Sequence, residues 1–159
     1  MKNNKGFSLV ELIIVIAIMA VLVGVLAPTY LQYVEKSKKS NDVSSVDSVI
    51  NACEIGAIDP EVMTDATTKL TITFPANNTV MSIDADDKNG NDVTSSKWEA
   101  AVLAAVGNDV KFKSTNWTTD VVVIAERNPA DGSVKFTYGG STPQTFKDYA
   151  TALTKVKNS

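Results

Sequence analysis

The hydrophobic positions of this chain form two patterns, a continuous run near the N-terminus and a periodic or alternating pattern after it. Every residue from Leu12 to Ala27 is apolar or glycine, and the run extends back to Phe7 with interruptions at Ser8 and Glu11. A helix needs roughly 20 such residues to cross ~30 Å of hydrocarbon. The pattern therefore predicts a helix that can span a membrane.

The same stretch has the basic start of a secretory signal peptide, at Lys2 and Lys5. The apolar region of a signal peptide is usually about 7 to 15 residues long and ends in a small-residue cleavage site. Here the run is longer, and it leads through Ala27 and Pro28 straight into Thr29 without such a site. We expect the apolar segment to be retained.

Beyond Pro28 the pattern becomes amphipathic. Apolar residues recur at three- or four-residue steps as far as Ala57, with serine, aspartate, asparagine and lysine between them, which predicts a continuing helix with one covered face. Asp59 and Pro60 end the pattern, because a residue before proline avoids the helical region. A helix over residues 7–58 would be roughly 78 Å long at 1.5 Å per residue, longer than a membrane requires.

The remainder of the chain alternates as strands do. Segments 69–74 and 79–84 predict a hairpin, and the turn sequence RNPADG joins the last two strands. The five segments expected as strands are 69–74, 79–84, 110–113, 120–126 and 133–138.

Two short helices interrupt the predicted strands. Ser96 and Glu99 form a possible capping box for a helix that ends near Gly107. Thr142 and Pro143 open a second, capped helix near the C-terminus. The apolar positions of that second helix are Phe146, Tyr149, Ala150, Leu153 and Val156.

An antiparallel sheet needs one covered face, and the polar-striped half of the long helix is the obvious cover. The predicted fold class is therefore α+β, with a long N-terminal helix whose apolar half protrudes and whose C-terminal half packs on an antiparallel sheet, like a lollipop.

Composition argues against an enzyme. The chain has no histidine and a single cysteine, Cys53, so the commonest general base is missing and neither an internal disulfide nor a cysteine zinc site can form. Cys53 lies on the apolar stripe, which indicates a small buried side chain. A net charge of −3 argues against sequence-specific nucleic acid as a partner. No cofactor is expected.

The segment DADDKNGND, residues 84–92, is the one cluster of hard oxygen ligands. Its spacing fails the EF-hand pattern, because aligning Gly90 with the loop glycine puts Ala85 at the first ligand position. A solvated loop is the preferred interpretation. The weak candidates for a calcium site are Asp84, Asp86, Asp87 and Asp92.

The N-terminal stretch KGFSLVE, residues 5–11, followed by the apolar run and Pro28, resembles the start of type IV pilins and their relatives, the pseudopilins of type II secretion and the competence pilins. The resemblance implies that a prepilin peptidase cleaves after Gly6 and that Phe7 becomes the methylated N-terminus. It implies a leader at 1–6, a long helix at 7–58 with a membrane or filament-core part at 7–28, and an α+β head at 59–159.

Glu11 matches the glutamate of that family. A carboxylate deep in a span costs roughly 2.5 to 3.5 kcal/mol and less near the interface, so Glu11 lies either in the headgroup zone or in a functional position. In a fibre of bundled helices the carboxylate can pair with the Phe7 amine of a neighbouring copy and set axial register.

Gly24 and Pro28 are the weak points of the predicted span. Proline removes a helical hydrogen bond, and glycine costs about 1 kcal/mol relative to alanine. The family resemblance implies a loosened helix near Pro28 in a filament, whereas membrane spans in general tolerate proline.

The expected function is that of a structural subunit, a homo-oligomer that polymerises into a surface pilus for adhesion, motility or DNA uptake. The implied partners are the membrane, the prepilin peptidase and the pilus assembly platform. Lysines flank both ends of the span, so charge leaves the topology open and the resemblance places the N-terminus in the cytoplasm and the head outside. The alternatives are a pseudopilin and a single-span anchored binding domain that never polymerises.

Overall fold

The structure is a computed structural model that describes residues 7–151 and residue 156. The chain divides into two compact units, Met1–Ser37 and Lys38–Ser159. The expected leader at 1–6 and the apolar position Leu153 lie outside the described residues.

Helix α1, Leu9–Ala57, begins in the first unit and ends in the second. The sequence predicted a helix over 7–58, so the observed helix begins two residues later and ends one residue earlier than predicted. The helix is continuous through Gly24 and Pro28, with no break at the proline in this chain.

Four strands form one antiparallel sheet in the order β2-β1-β3-β4. Their bounds are β1 Thr67–Phe74, β2 Ser82–Asp87, β3 Val121–Arg127 and β4 Val134–Tyr138. In β3 the buried residues alternate with more exposed ones, as a strand with one covered face requires. The fold class predicted from the sequence, an α+β chain with a long apolar N-terminal helix and an antiparallel sheet, is confirmed.

The second half of α1 covers the buried face of the sheet. Val46, Ile50 and Cys53 of the helix share one hydrophobic core with Ile72 of β1 and Val123 of β3. Cys53 is fully buried, and burial together with the neighbouring Glu54 carboxylate raises the pKa of its thiol to about 12. The prediction that Cys53 is a buried small side chain is confirmed.

Three short helices complete the described fold, α2 Pro60–Met63, α3 Lys97–Val106 and α4 Gln144–Ala150. Helix α3 is capped as predicted, since the backbone N–H of Glu99 donates to the Ser96 hydroxyl at 3.1 Å. Helix α2 was not predicted from the sequence, although an Asp-Pro pair is a recognisable signal for the start of a helix. The Asp59 carboxylate caps α2 by accepting the Glu61 N–H at 2.8 Å.

Strand β2 begins three residues later than the sequence predicted. The preceding turn is longer than expected, because the Asn77 side chain accepts the Thr79 N–H at 3.2 Å and the Met81 N–H donates to the Val110 carbonyl at 2.8 Å. The strand continues to Asp87, so the first four residues of the acidic segment 84–92 lie in a strand. The expectation of a solvated loop across the whole segment was wrong.

The segment 110–113 is not a strand. The backbone N–H groups of Lys113, at its end, and of Ser114, the next residue, donate to the Asp42 carboxylate at 2.6 and 3.0 Å. The Trp117 indole N–H donates to the same carboxylate at 2.8 Å. Asp42 is fully buried, so three hydrogen bonds hold the segment after residue 110 on helix α1.

Thr142 does not cap α4 as the sequence suggested. Pro143 occupies the N-cap position and makes no side-chain cap bond. The Thr142 hydroxyl accepts the Val122 N–H and donates to the Val122 carbonyl, both at 2.9 Å. The residue therefore attaches the start of α4 to strand β3.

Replacing Asp42 is expected to destabilise the fold. Asp42→Ala leaves three donors, two of them buried, without their acceptor and should lower the free energy of unfolding by about 3 kcal/mol. Asp42→Asn keeps one acceptor oxygen and should lose about 1 to 2 kcal/mol. Urea unfolding of the full chain in detergent, followed by the fluorescence of the buried Trp98 and Trp117, measures both.

Asp47→Ala is the matched control for this experiment. Asp47 lies on the same helix, and its hydrogen bond to Asn51 is exposed and 3.4 Å long. Its replacement should change stability by less than about 0.5 kcal/mol. Equal stability of the Asp42 and Asp47 variants would contradict the role assigned to Asp42.

Candidate functional site

A hydrogen bond between Ser8 and Glu11 closes the start of α1. The Ser8 backbone N–H donates to Oε2 of Glu11 at 2.9 Å, one residue before the helix begins at Leu9. Phe7 precedes them with 88% of its surface exposed. The structure thus joins the predicted assembly residue Glu11 to Ser8 and leaves the predicted processing residue Phe7 exposed next to this bond, whereas Gly6 lies outside the described residues.

The contact between Ser8 and Glu11 is half of a capping box. In that motif, Ser-x-x-Glu, the glutamate side chain accepts the N–H of the capping residue. The negative charge in the first turn also interacts favourably with the positive end of the helix dipole. Sequence reasoning missed this role of Glu11, although the spacing SLVE was readable as a capping box.

The helix that follows this start is apolar on every side. The large apolar side chains from Leu9 to Leu26 are 46 to 73% exposed. Among the described residues, α1 is the one helix whose length and composition would allow it to cross a membrane, with a mean hydropathy of 3.1 over 18 residues. A helix that is apolar all round is stable only when lipid or protein covers it.

Gly24 and Pro28 form a single weak point in this helix. Proline has no N–H, so Pro28 cannot donate to the carbonyl four residues earlier, which belongs to Gly24. A Cβ atom on Gly24 would meet nothing within 4 Å in this chain. Packing within the chain therefore does not require glycine here. By helical rise the point lies about 20 Å from Glu11.

The acidic segment uses its carboxylates within the chain. Asp87 accepts the N–H groups of Asn89 and Asn91 at 2.7 and 2.9 Å, and the Asn91 bonds lower the pKa of its carboxyl group. Asp86 pairs with Lys69. Within residues 7–151 and residue 156, no group of three or more histidine, cysteine, aspartate or glutamate side chains is arranged to hold a metal ion.

The fold and the helix start define a class, a pilin-like protein with an apolar N-terminal helix. The family described as the prokaryotic N-terminal methylation motif matches residues 1–27. Two relatives from Pseudomonas aeruginosa, each described as a fimbrial protein, are 36% identical over 70 residues. These findings confirm the resemblance to type IV pilins that the N-terminus predicted.

The similarity has a limited extent. The aligned 70 residues are 43% of this chain and 46% of each relative, so the chain spans less than half the length of the fimbrial proteins it matches. No solved structure matches the chain.

Removing the Glu11 side chain is expected to fray the start of α1. Glu11→Ala deletes the acceptor of the Ser8 N–H, and loss of a cap bond worth about 1 kcal/mol should speed exchange of the Ser8 amide about fivefold. Glu11→Gln should leave the rate within about twofold, because glutamine serves in the same motif. Hydrogen exchange of the uncleaved chain in detergent micelles, followed by NMR, measures this.

The buried amide of Val46 gives the reference rate for both variants. An unchanged Ser8 rate in Glu11→Ala would show that the cap bond does not hold the helix start.

Proposed function

We propose that this protein is the structural subunit of a type IV pilus. The observation that carries the proposal is a helix of exposed apolar side chains that begins at Leu9, with Glu11 in its first turn, inside the matched methylation motif. The chain is stored in the membrane as a prepilin, cleaved after Gly6 and methylated at Phe7. It then polymerises through residues 7–28 into a surface filament. It acts as a building element and not as an enzyme.

Charge pairing at the helix start sets the register of this assembly. Cleavage after Gly6 creates a positive amine on Phe7, adjacent to the capped Ser8. Oε2 of Glu11 accepts the Ser8 N–H of its own chain, and Oε1 lies on the same carboxylate as a second acceptor. In a filament the carboxylate pairs with the amine of a neighbouring copy. Both charges are then desolvated, so leaving either of them unpaired is costly.

Apolar surface has to be covered in both the stored form and the fibre. Lipid covers these side chains in the stored form and neighbouring helices cover them in the fibre, where close van der Waals packing between helices favours assembly. The missing bond from Pro28 to the Gly24 carbonyl lets the helix loosen locally when the packing changes. The prepilin peptidase and the pilus assembly platform are the proposed partners, with the N-terminus in the cytoplasm and the head outside.

A pseudopilin is the alternative that the same motif allows, since pseudopilins share the leader and the apolar helix. Both relatives are described as fimbrial proteins, which favours the pilus. A single-span anchored domain that never polymerises needs neither cleavage after Gly6 nor a charge at Glu11.

Processing is tested by N-terminal mass analysis of the mature protein. We expect a chain that begins with methylated Phe7, whereas Gly6→Leu should leave the leader attached because a bulky residue then occupies the cleavage position. An intact leader on the wild-type protein in cells with an active prepilin peptidase would favour the anchored domain.

Assembly is tested by the charge at position 11. Glu11→Gln keeps the cap bond and removes the charge, so it should reduce the yield of sheared surface filaments at least tenfold while cleavage continues. Glu61→Gln, a neutralisation on exposed residue 61, is the control and should assemble normally. Normal filament yield from Glu11→Gln would contradict the charge pairing.

A further inference from the structure

A basic groove crosses the surface of the unit Lys38–Ser159. Its volume is about 670 Å³, and Val110 and Phe112 contribute apolar surface to its lining. The charged side chains around it are three lysines and one aspartate, which leaves an excess of two positive charges in a protein whose net charge is negative. These charged residues are Lys38, Lys111, Lys113 and Asp109.

The segment that carries two of these lysines is held firmly in place. The Val110 carbonyl accepts the Met81 N–H at 2.8 Å, and the Lys113 N–H donates to the buried Asp42 at 2.6 Å. Lys111 lies between these two anchored residues and is exposed, and its ion pair with Asp109, at 3.5 Å, is open to solvent and therefore weak. A fixed backbone lowers the entropy lost on binding, so the groove is preorganised for an acidic ligand.

An acidic patch lies on the same unit and consists of Asp84, Asp92 and Glu99. Asp84 and Asp86 are two residues apart in β2, so their side chains lie on the same face of that strand, and Asp92 pairs opposite Asp86 in an isolated antiparallel bridge. Burial raises the pKa of the Glu99 carboxyl group, and the charges of Asp84 and Asp92 raise it further, in agreement with this placement. Asp84 and Asp92 are exposed. Across residues 7–151 and residue 156, none of the three carboxylates forms an ion pair.

The groove and the acidic patch lie at different positions along the axis of helix α1, which we call their heights. The groove is lined by Lys38, Asn41 and Ser45 of α1. The acidic patch includes Glu99, which follows Trp98, and the Trp98 indole N–H donates to the Cys53 carbonyl at 2.9 Å. The twelve residues from Asn41 to Cys53 correspond to about 18 Å along the helix axis.

We infer that the basic groove is the docking site for a second copy of this chain, whose acidic patch enters it. The inference rests on the proposed function, in which parallel α1 helices are staggered along a common axis. A copy displaced along that axis brings its groove to the height of its neighbour's acidic patch. The contact joins two different surfaces, so it repeats without closing, as an open helical filament requires.

Charge complementarity favours this occupant over a foreign polyanion. The groove has an excess of only two positive charges, whereas sequence-independent binding to nucleic acid uses many phosphate contacts. The acidic patch of a second copy supplies about the matching number of negative charges. In an assembling filament it is also present at high local concentration.

Charge reversal in the full chain tests the contact. Asp92→Lys and Lys111→Glu each place like charges in the interface, so each should reduce the yield of sheared filaments at least fivefold relative to wild type. The double variant restores the attraction in reversed order and should recover to within about twofold. Lys135→Glu makes the same charge change on an exposed strand residue outside the groove and should assemble normally.

Disulfide trapping tests the contact without relying on repulsion. Cells that express Asp92→Cys and Lys111→Cys as separate chains should give filaments with cross-linked dimers, and cells with either variant alone should give about tenfold fewer. The native Cys53 is buried and does not compete.

The outcomes separate this inference from the proposed function. Normal assembly of both single reversal variants, or absence of the mixed dimers in filaments that form normally, would overturn the docking inference and leave the pilus proposal standing. If Lys111→Glu filaments assembled normally but lost binding to double-stranded DNA, the groove would serve a polyanion and the inference would be wrong. Failure of the wild-type chain to form filaments would overturn both.

Discussion

The exposed apolar half of helix α1 is the constraint on which the rest of this molecule depends. Its large side chains are about half exposed or more over 18 residues, and a helix that is apolar all round is stable only in lipid or against other apolar surfaces. In the proposed function, lipid covers it in the stored monomer and neighbouring helices cover it in the filament. The methylation motif and the similarity to fimbrial proteins favour a pilus as the assembly that covers this surface.

The start of that helix connects a local role with an intermolecular one. Glu11 accepts the Ser8 N–H at 2.9 Å, which organises the first turn whether or not the chain polymerises. A capping bond occupies one lone pair of a carboxylate that has several, so the same side chain remains able to attract an amine. The Glu11 carboxylate therefore has a hydrogen-bond donor in the monomer. In an assembly it can also attract an amine without giving up that bond.

Elements with strong local signals were predictable from sequence, and those fixed by single side chains were not. Helix α1 follows from an apolar run and an amphipathic stripe that end at Asp59 and Pro60. The β3–β4 hairpin follows from its RNPADG turn, where the Asn128 N–H donates to the Ser133 carbonyl at 2.8 Å. The segment after Val110 alternates like a strand, yet its donors bond to Asp42, about 70 residues earlier. No local pattern encodes that pairing. The capping role of Glu11, in contrast, is encoded locally by the spacing Ser-x-x-Glu from Ser8 to Glu11.

Asp42 links the stability of the fold to the surface that we propose for assembly. Its carboxylate lies in the interior of the helix–sheet core, and the Lys113 and Ser114 N–H groups that it accepts belong to the segment that displays Lys111 and Lys113. A change at Asp42 would release that segment and would shift the lysines without altering their number. Assembly defects from this residue would thus arise from loss of preorganisation, whereas reversal of an exposed lysine changes the charge on an intact backbone. The two kinds of variant distinguish the shape of the groove from its charge.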